Sequence, residues 1–310
     1  MNVSAIIRNF ARETKRLEFF WRYGSNLGPS IDYRLGGAPS LNDSTVRRVL
    51  KDLNRNGIAI TSADELLGGS AVYSELSGRV DQMLIDRHQE LEALKSSAEQ
   101  DVIGEKTFNV EMLGSIVEFN PECIFARFAL QDKFLDIADA YFGMRVKLRY
   151  YNVWKTFATQ GAPRESQLWH YDREDKYILK VFMYLRDVDE GTGPFTYAPQ
   201  THPKGTLRGR EPEHFLEGGV RRSTDEQMNA VVPRRDWIRA TGNTGTIIFA
   251  DTRGFHKGGE ARKNDRLMYT CLYTSRSSES RRLVRFGKSP EGLSNRQISA
   301  LLLDDLTAAT

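Results

Sequence analysis

Five histidines occur in the 310-residue chain, few enough for each to be weighed by its neighbours. In Trp169-His170-Tyr171-Asp172 the run reads as strand, so period-two alternation sends His170 and Asp172 to one face and Tyr171 to the other. Their Cα atoms then stand roughly 7 Å apart, and imidazole and carboxylate can converge on one cation. A third donor has to come from a distant segment. His256 is the candidate, because it follows the apolar run Thr246 to Phe249 and sits in Arg253-Gly-Phe-His-Lys-Gly-Gly259, where glycines let the backbone approach a centre closely. Two imidazoles and one carboxylate suit Fe(II) and leave adjacent coordination positions for an oxo acid and dioxygen. His88, in a predicted helix, and His214, in a loop, have no such company.

Arg266 opens the apolar run Arg266 to Ser275, predicted as the strand beside the one that leads to His256. A guanidinium facing an interior needs a carboxylate, and the far carboxylate of 2-oxoglutarate would be a suitable one. Lys180 is the one charge inside Ile178-Leu-Lys-Val-Phe-Met-Tyr-Leu185, and a regular strand puts Tyr184 on its face. Either could reach the oxo acid. The other expectation for Lys180 is a structural ion pair with an acid such as Asp187 or Asp251. Trp169, Tyr171, Trp154 and Phe157 flank the centre in sequence and are expected to line a substrate pocket.

The elements that must hold these residues change character at Met144. Before it, helical spacing dominates. Asp43 or Ser44 caps a predicted helix with Val46, Val49, Leu50 and Leu53 on one face, and Gly57 ends it before the extended run Ile58 to Thr61. Ser62 and Glu65 have capping-box spacing. Longer helices are predicted over about Val72 to Leu94 and about Ile124 to Tyr141, the second closed by Gly143. The first twelve residues read as an amphipathic helix rather than a targeting peptide. After Met144, strands are predicted over Arg145 to Ala158, Gln167 to Asp172, Tyr177 to Leu185, Phe195 to Ala198, Thr246 to Phe249 and Arg266 to Ser275, with Gly- and Pro-rich turns between them. Helices followed by short strands predict an α+β fold: a β-sandwich or barrel with helices packed outside. Lys204 to Arg239 reads as an insertion over one mouth of it, with Ser223 and Glu226 capping a helix through Val232. One integrated domain is expected, with a helical region 1–143, a core 144–280 and a helical tail 281–310.

Composition removes other classes. Lys plus Arg number 44 against 41 Asp plus Glu, and a net charge of +3 is too small to argue for nucleic acid or an anionic membrane. No apolar run approaches the roughly 18 to 20 residues that cross a bilayer. Cys123 and Cys271 are far apart in apolar surroundings, so they read as free thiols of a reducing compartment and the expected location is cytoplasmic.

The stretch Gln167-Leu-Trp-His-Tyr-Asp172, followed by Lys180 to Leu185, Asp187, Gly193-Pro-Phe195, Pro199-Gln-Thr-His202, and then His256 with Arg266, resembles the phytanoyl-CoA dioxygenase family over roughly Tyr150 to Ser275. That resemblance implies an Fe(II)- and 2-oxoglutarate-dependent oxygenase on a double-stranded β-helix, the jelly-roll barrel of that superfamily. It implies His170, Asp172 and His256 as iron ligands, Arg266 as the partner of 2-oxoglutarate, and O2 as cosubstrate. A small organic substrate would be hydroxylated with release of succinate and CO2.

Two positions depart from the family pattern. Gln200-Thr201 stands where Gly-Ser usually precedes the histidine corresponding to His202, which is assigned to structure. Gly258 replaces a small hydroxyl residue that helps hold 2-oxoglutarate, and Lys180 or Tyr151 is expected to compensate. The presence of Asp172 disfavours halogenation, because halide-transferring relatives have a small residue there. Two other functions fit the same residues: a metal-dependent barrel enzyme that uses no oxo acid, and a non-catalytic binding module on the same fold.

Overall fold

The computed structural model describes residues 17–36, 42–69, 71–100, 106–216, 221–278, 284–286 and 291–301. The predicted helix of the first twelve residues, and most of the tail 281–310, lie outside them. None of the described helices is long and apolar enough to cross a membrane.

Local capping chemistry works as expected in the first half. The Asp43 carboxylate accepts from the backbone N–H groups of Thr45 and Val46 at 2.9 and 3.0 Å and starts the helix Ser44–Asn56. Gly57 ends it at φ 81°, where a side chain would be strained and a Cβ would also collide with the Tyr197 hydroxyl and the His202 ring. Ser62 accepts from Glu65 N–H at 3.1 Å and starts Ala63–Leu67.

Both long predicted helices are in fact broken. The first divides into Ala71–Asp86 and His88–Ser96, and at the break the Arg87 guanidinium reaches the Met112 carbonyl at 2.6 Å. The second divides into Ile124–Ala129 and Asp132–Phe142. There, side-chain amides satisfy carbonyls freed at the break: Gln131 donates to Arg127 O and Gln297 to Leu130 O, each at 3.1 Å.

The strands, in chain order, are β1 Ile58–Ser62, β2 Asn109–Glu111, β3 Val117–Phe119, β4 Lys147–Thr156, β5 Leu179–Tyr184, β6 Thr196–Tyr197, β7 Ile238–Arg239, β8 Thr246–Asp251, β9 His256–Lys257, β10 Arg266–Thr274 and β11 Val284–Phe286. They build an antiparallel sheet in the order β1-β8-β5-β10-β4-β2, a smaller antiparallel sheet β7-β6-β9, and a parallel pair β11-β3. Alternation gives the large sheet two apolar faces. Leu179, Val181 and Met183 of β5, with Leu267, Tyr269 and Cys271 of β10, enter the main core among the helices. Phe182, Tyr184, Ile248 and Met268 face the other way, against Phe195 and Tyr197 of the smaller sheet segment.

Two further expectations are corrected. Gln167 to Asp172 is not a continuous strand: a 3₁₀ turn over Glu165–Gln167 leads into single bridges, Trp169 to Ser223 and His170 to His256. The alternation survives, because these bridges and the Asp172 N–H to Thr252 O bond of 2.8 Å hold the segment extended. The packing and the helix of the insertion also differ from the expectation. Its Phe215, Met228, Val232 and Trp237 pack on Trp169, Ala198 and Phe255, on the outer side of the smaller sheet. Its helix is Asp225–Asn229, capped by Thr224 and Gln227, since the backbone of Ser223 is committed to the bridge with Trp169.

Candidate metal centre

The paired backbones of His170 and His256 exchange hydrogen bonds of 3.0 and 2.8 Å, which brings their rings to 4.4 Å between centroids. His170, Asp172 and His256 offer ligand atoms that all lie within 4.8 Å of one another. In each histidine, Nδ1 faces a backbone carbonyl, Leu168 O at 2.8 Å and Gly254 O at 3.0 Å. Nδ1 is then the protonated nitrogen, and the Nε2 lone pair is left for a metal. Burial holds both imidazoles neutral, with His170 well below its ordinary value and His256 lowered to about 4. Burial alone would raise the Asp172 carboxyl, but the Lys180 ammonium beside it holds it well below the usual carboxylate range. The donor set is therefore two neutral imidazoles and one carboxylate, the protonation states that metal binding requires.

Lys180 forms the expected ion pair with an acid, but the acid is Asp172. Its Nζ lies 2.6 Å from Asp172 Oδ2, while Asp187 caps Thr244 and Asp251 accepts from Tyr141 Oη at 2.7 Å. Tyr151 points into the helical core on the opposite face of β4 and cannot reach the centre. Tyr184 does face the centre's side of the sheet, but its hydroxyl donates to Ala240 O at 2.7 Å and accepts from Phe195 N–H at 3.2 Å. Burial pushes it up to about 12.

Arg266 is 4% exposed and, among the described residues, has no carboxylate partner. Its guanidinium contacts the carbonyls of Gly193 and Gly259 and, at 3.5 Å, the Thr156 hydroxyl, while Nε has no partner. Burial lowers its proton affinity. A Cβ at Gly258 would sit 3.6 Å from Arg266 Nη2, so the glycine opens space beside the guanidinium. Thr156 faces Arg266 directly in the β4–β10 register and sets a hydroxyl beside its guanidinium. Sequence reasoning missed Thr156 because only cross-strand pairing relates the two positions.

Of the four aromatic pocket candidates, only Trp154 faces the centre's side of the large sheet. It stacks on Tyr150 at 6.4 Å, and its buried indole N–H has no partner. Phe157 lies in the helical core. Trp169 belongs to the cluster under the insertion, donating to Asp225 at 2.7 Å. Tyr171 donates to Glu211 at 2.8 Å and lines a cavity of about 800 Å³ behind the triad. Alternation turns both away from the ligands. His202 is fully buried, 3.3 Å from Asn54 O, and takes no part in the cluster.

No protein-family model matches the chain, and no curated protein matches it. Solved structures do. EctD from S. alaskensis with 2-oxoglutarate and 5-hydroxyectoine is 16% identical, with 85% of this chain and 94% of that chain covered at a TM-score of 0.50. The epimerase SnoN in complex with Fe3+, alpha ketoglutarate and nogalamycin RO is also 16% identical, with coverages of 82% and 93% and a TM-score of 0.49. AviO1 from Streptomyces viridochromogenes is 17% identical, with coverages of 78% and 99% and a TM-score of 0.48. The likeness to EctD is one of fold: mixed helices and antiparallel sheets in a common arrangement.

Proposed function

We propose that this chain is an Fe(II)- and 2-oxoglutarate-dependent oxygenase of the phytanoyl-CoA dioxygenase type, hydroxylating a C–H bond of a small organic molecule. The strands of the two facing sheets within 144–280 are read as a double-stranded β-helix, with β1 and β2 of the mainly helical region 1–143 added at the edges of the larger sheet. His170, Asp172 and His256 would hold the iron. Arg266 would receive the far carboxylate of 2-oxoglutarate beside Thr156. Bound iron with the oxo acid and O2 would supply the oxidant, releasing succinate and CO2. The protein's share is orientation and exclusion of water by the apolar layer of Phe182, Phe195 and Met268.

The observation that carries this reading is Arg266. An interior guanidinium without a counter-ion is costly unless an anion joins it, and a metal enzyme that used no oxo acid would have no need of one there. The fold shared with EctD, whose structure holds 2-oxoglutarate, supports the same choice. The test is an anaerobic titration of the metal-free protein with Fe(II) and 2-oxoglutarate, watching for the weak visible charge-transfer band of the chelate. The band should form in the wild type and be lost in Arg266→Ala. Iron binding with no band in the wild type would overturn the cosubstrate.

A further inference from the structure

Arg222 lies in the insertion Lys204 to Arg239, which packs on the outer side of the smaller sheet. The bridge between Trp169 and Ser223, closed by two hydrogen bonds of 3.0 Å, gives it another place. One step along that antiparallel register, Arg222 stands opposite His170, and opposed residues project to the same face. His256 pairs with His170 from the other side. Arg222, His170 and His256 thus form one row across three extended segments spaced about 4.8 Å apart.

Among the described residues, nothing fully satisfies this guanidinium. Nη1 donates to Arg221 O at 3.2 Å, the nearest acid is Glu165 at 3.8 Å, and the buried Nε has no partner. Lys106, just before β2, completes the surroundings. Its carbonyl accepts from Asn109 N–H at 2.8 Å, and Asn109 pairs with Thr156, which faces Arg266; from there its charge acts on Lys180, Asp172, Arg222 and Glu165, and among the described residues it forms no ion pair. It keeps contact with solvent, as a residue at a mouth does. Lys106, Lys180 and Arg222 thus stand against Asp172 and Glu165. A divalent metal at the triad would enlarge that positive excess, and 2-oxoglutarate would not remove it, since one carboxylate joins the metal and the other faces Arg266.

We propose that Arg222 and Lys106 form an oxyanion site beside the triad that holds a carboxylate or phosphate group of the organic substrate. This rests on the triad being a metal centre. The substrate class is then an organic acid or phosphate ester, oriented with its anionic group at the Arg222 side and its C–H toward the metal. Neutral and cationic compounds of the same skeleton are excluded by the uncompensated charge.

The probe is phenyl phosphate, added to the protein loaded with Mn(II) and 2-oxoglutarate, and the readout is paramagnetic broadening of its phosphorus resonance. Broadening falls steeply with distance, so only a phosphate near the metal shows it. The wild type should broaden the resonance, and both Arg222→Gln and the solvent-exposed change Lys106→Gln should need at least tenfold more ligand. The proton lines of 2-oxoglutarate should stay broadened in all three proteins, which shows the metal and cosubstrate in place. Should Arg222→Gln fail to fold, Lys106→Gln decides alone. Equal broadening in wild type and variants, or none in the wild type while 2-oxoglutarate is broadened, overturns the oxyanion site. Absence of Mn(II) binding would instead overturn the metal centre, and the oxyanion site with it.

Discussion

Lys180 places its ammonium 2.6 Å from the carboxylate of Asp172, with both side chains largely out of water at 12% and 14% exposure. The ammonium stands where cationic charge would otherwise be supplied by a metal, so the metal-free protein does not bury a bare carboxylate.

Replacing Lys180 by Met should therefore destabilise the metal-free protein by about 3 kcal/mol, the cost of leaving one partner of a buried pair. With saturating Mn(II) the loss should shrink, because the ion then neutralises Asp172. Urea unfolding with and without Mn(II) measures both; equal losses under the two conditions would contradict the shared role.

Metal-free stability should fall as the pH drops from 7 to 5. Unfolded histidines protonate near 6.5, whereas His256 resists until about 4 and His170 is likewise held neutral. The unfolded chain then binds more protons, and His256 alone contributes a loss of about 2 kcal/mol by pH 5. The histidines are neutral well below pH 7, so Mn(II) affinity should stay nearly flat between pH 7 and 5. Titration calorimetry checks this, and a loss approaching a hundredfold per pH unit below 6.5, tenfold for each ring, would show the imidazoles to be ordinary.

Thr156→Val should weaken 2-oxoglutarate binding about fivefold, the equivalent of roughly one hydrogen bond. Arg266→Ala should remove most of the binding. Thermal unfolding reads this through ligand stabilisation, which for the wild type is about 2.7 kcal/mol at a hundredfold excess over Kd. A Thr156→Val protein stabilised as much as wild type would remove Thr156 from the site.

Gly57→Ala should cost more than about 1 kcal/mol, since φ of 81° and the crowding by Tyr197 and His202 both oppose a methyl group. Mn(II) affinity should be unchanged, in keeping with His202 as a structural residue. A loss of metal binding without a loss of stability would bring His202 back as a ligand.

Features that depend on a few neighbouring residues were legible in the chain. Asp43 and Gly57 bound their helix through bonds that span a few residues, and the alternation in Leu179 to Tyr184 and Arg266 to Thr274 set which side chains share a face. The same local rules placed His170 and Asp172 together, and the glycines around His256 marked it as their companion. Tertiary structure decided the rest. It broke both long helices, the first where Arg87 could reach the Met112 carbonyl and the second where Gln297 could satisfy the freed Leu130 carbonyl. It gave Lys180 to Asp172 rather than to Asp187 or Asp251, set Thr156 against Arg266, turned Trp169, Tyr151 and Phe157 into packing residues, and put Tyr171 on the wall of a cavity that the ligands do not line. It also drew Arg222 into the row with His170 and His256. Each of these depends on register between segments far apart in sequence, and a one-residue slip in register would send every such side chain to the opposite face.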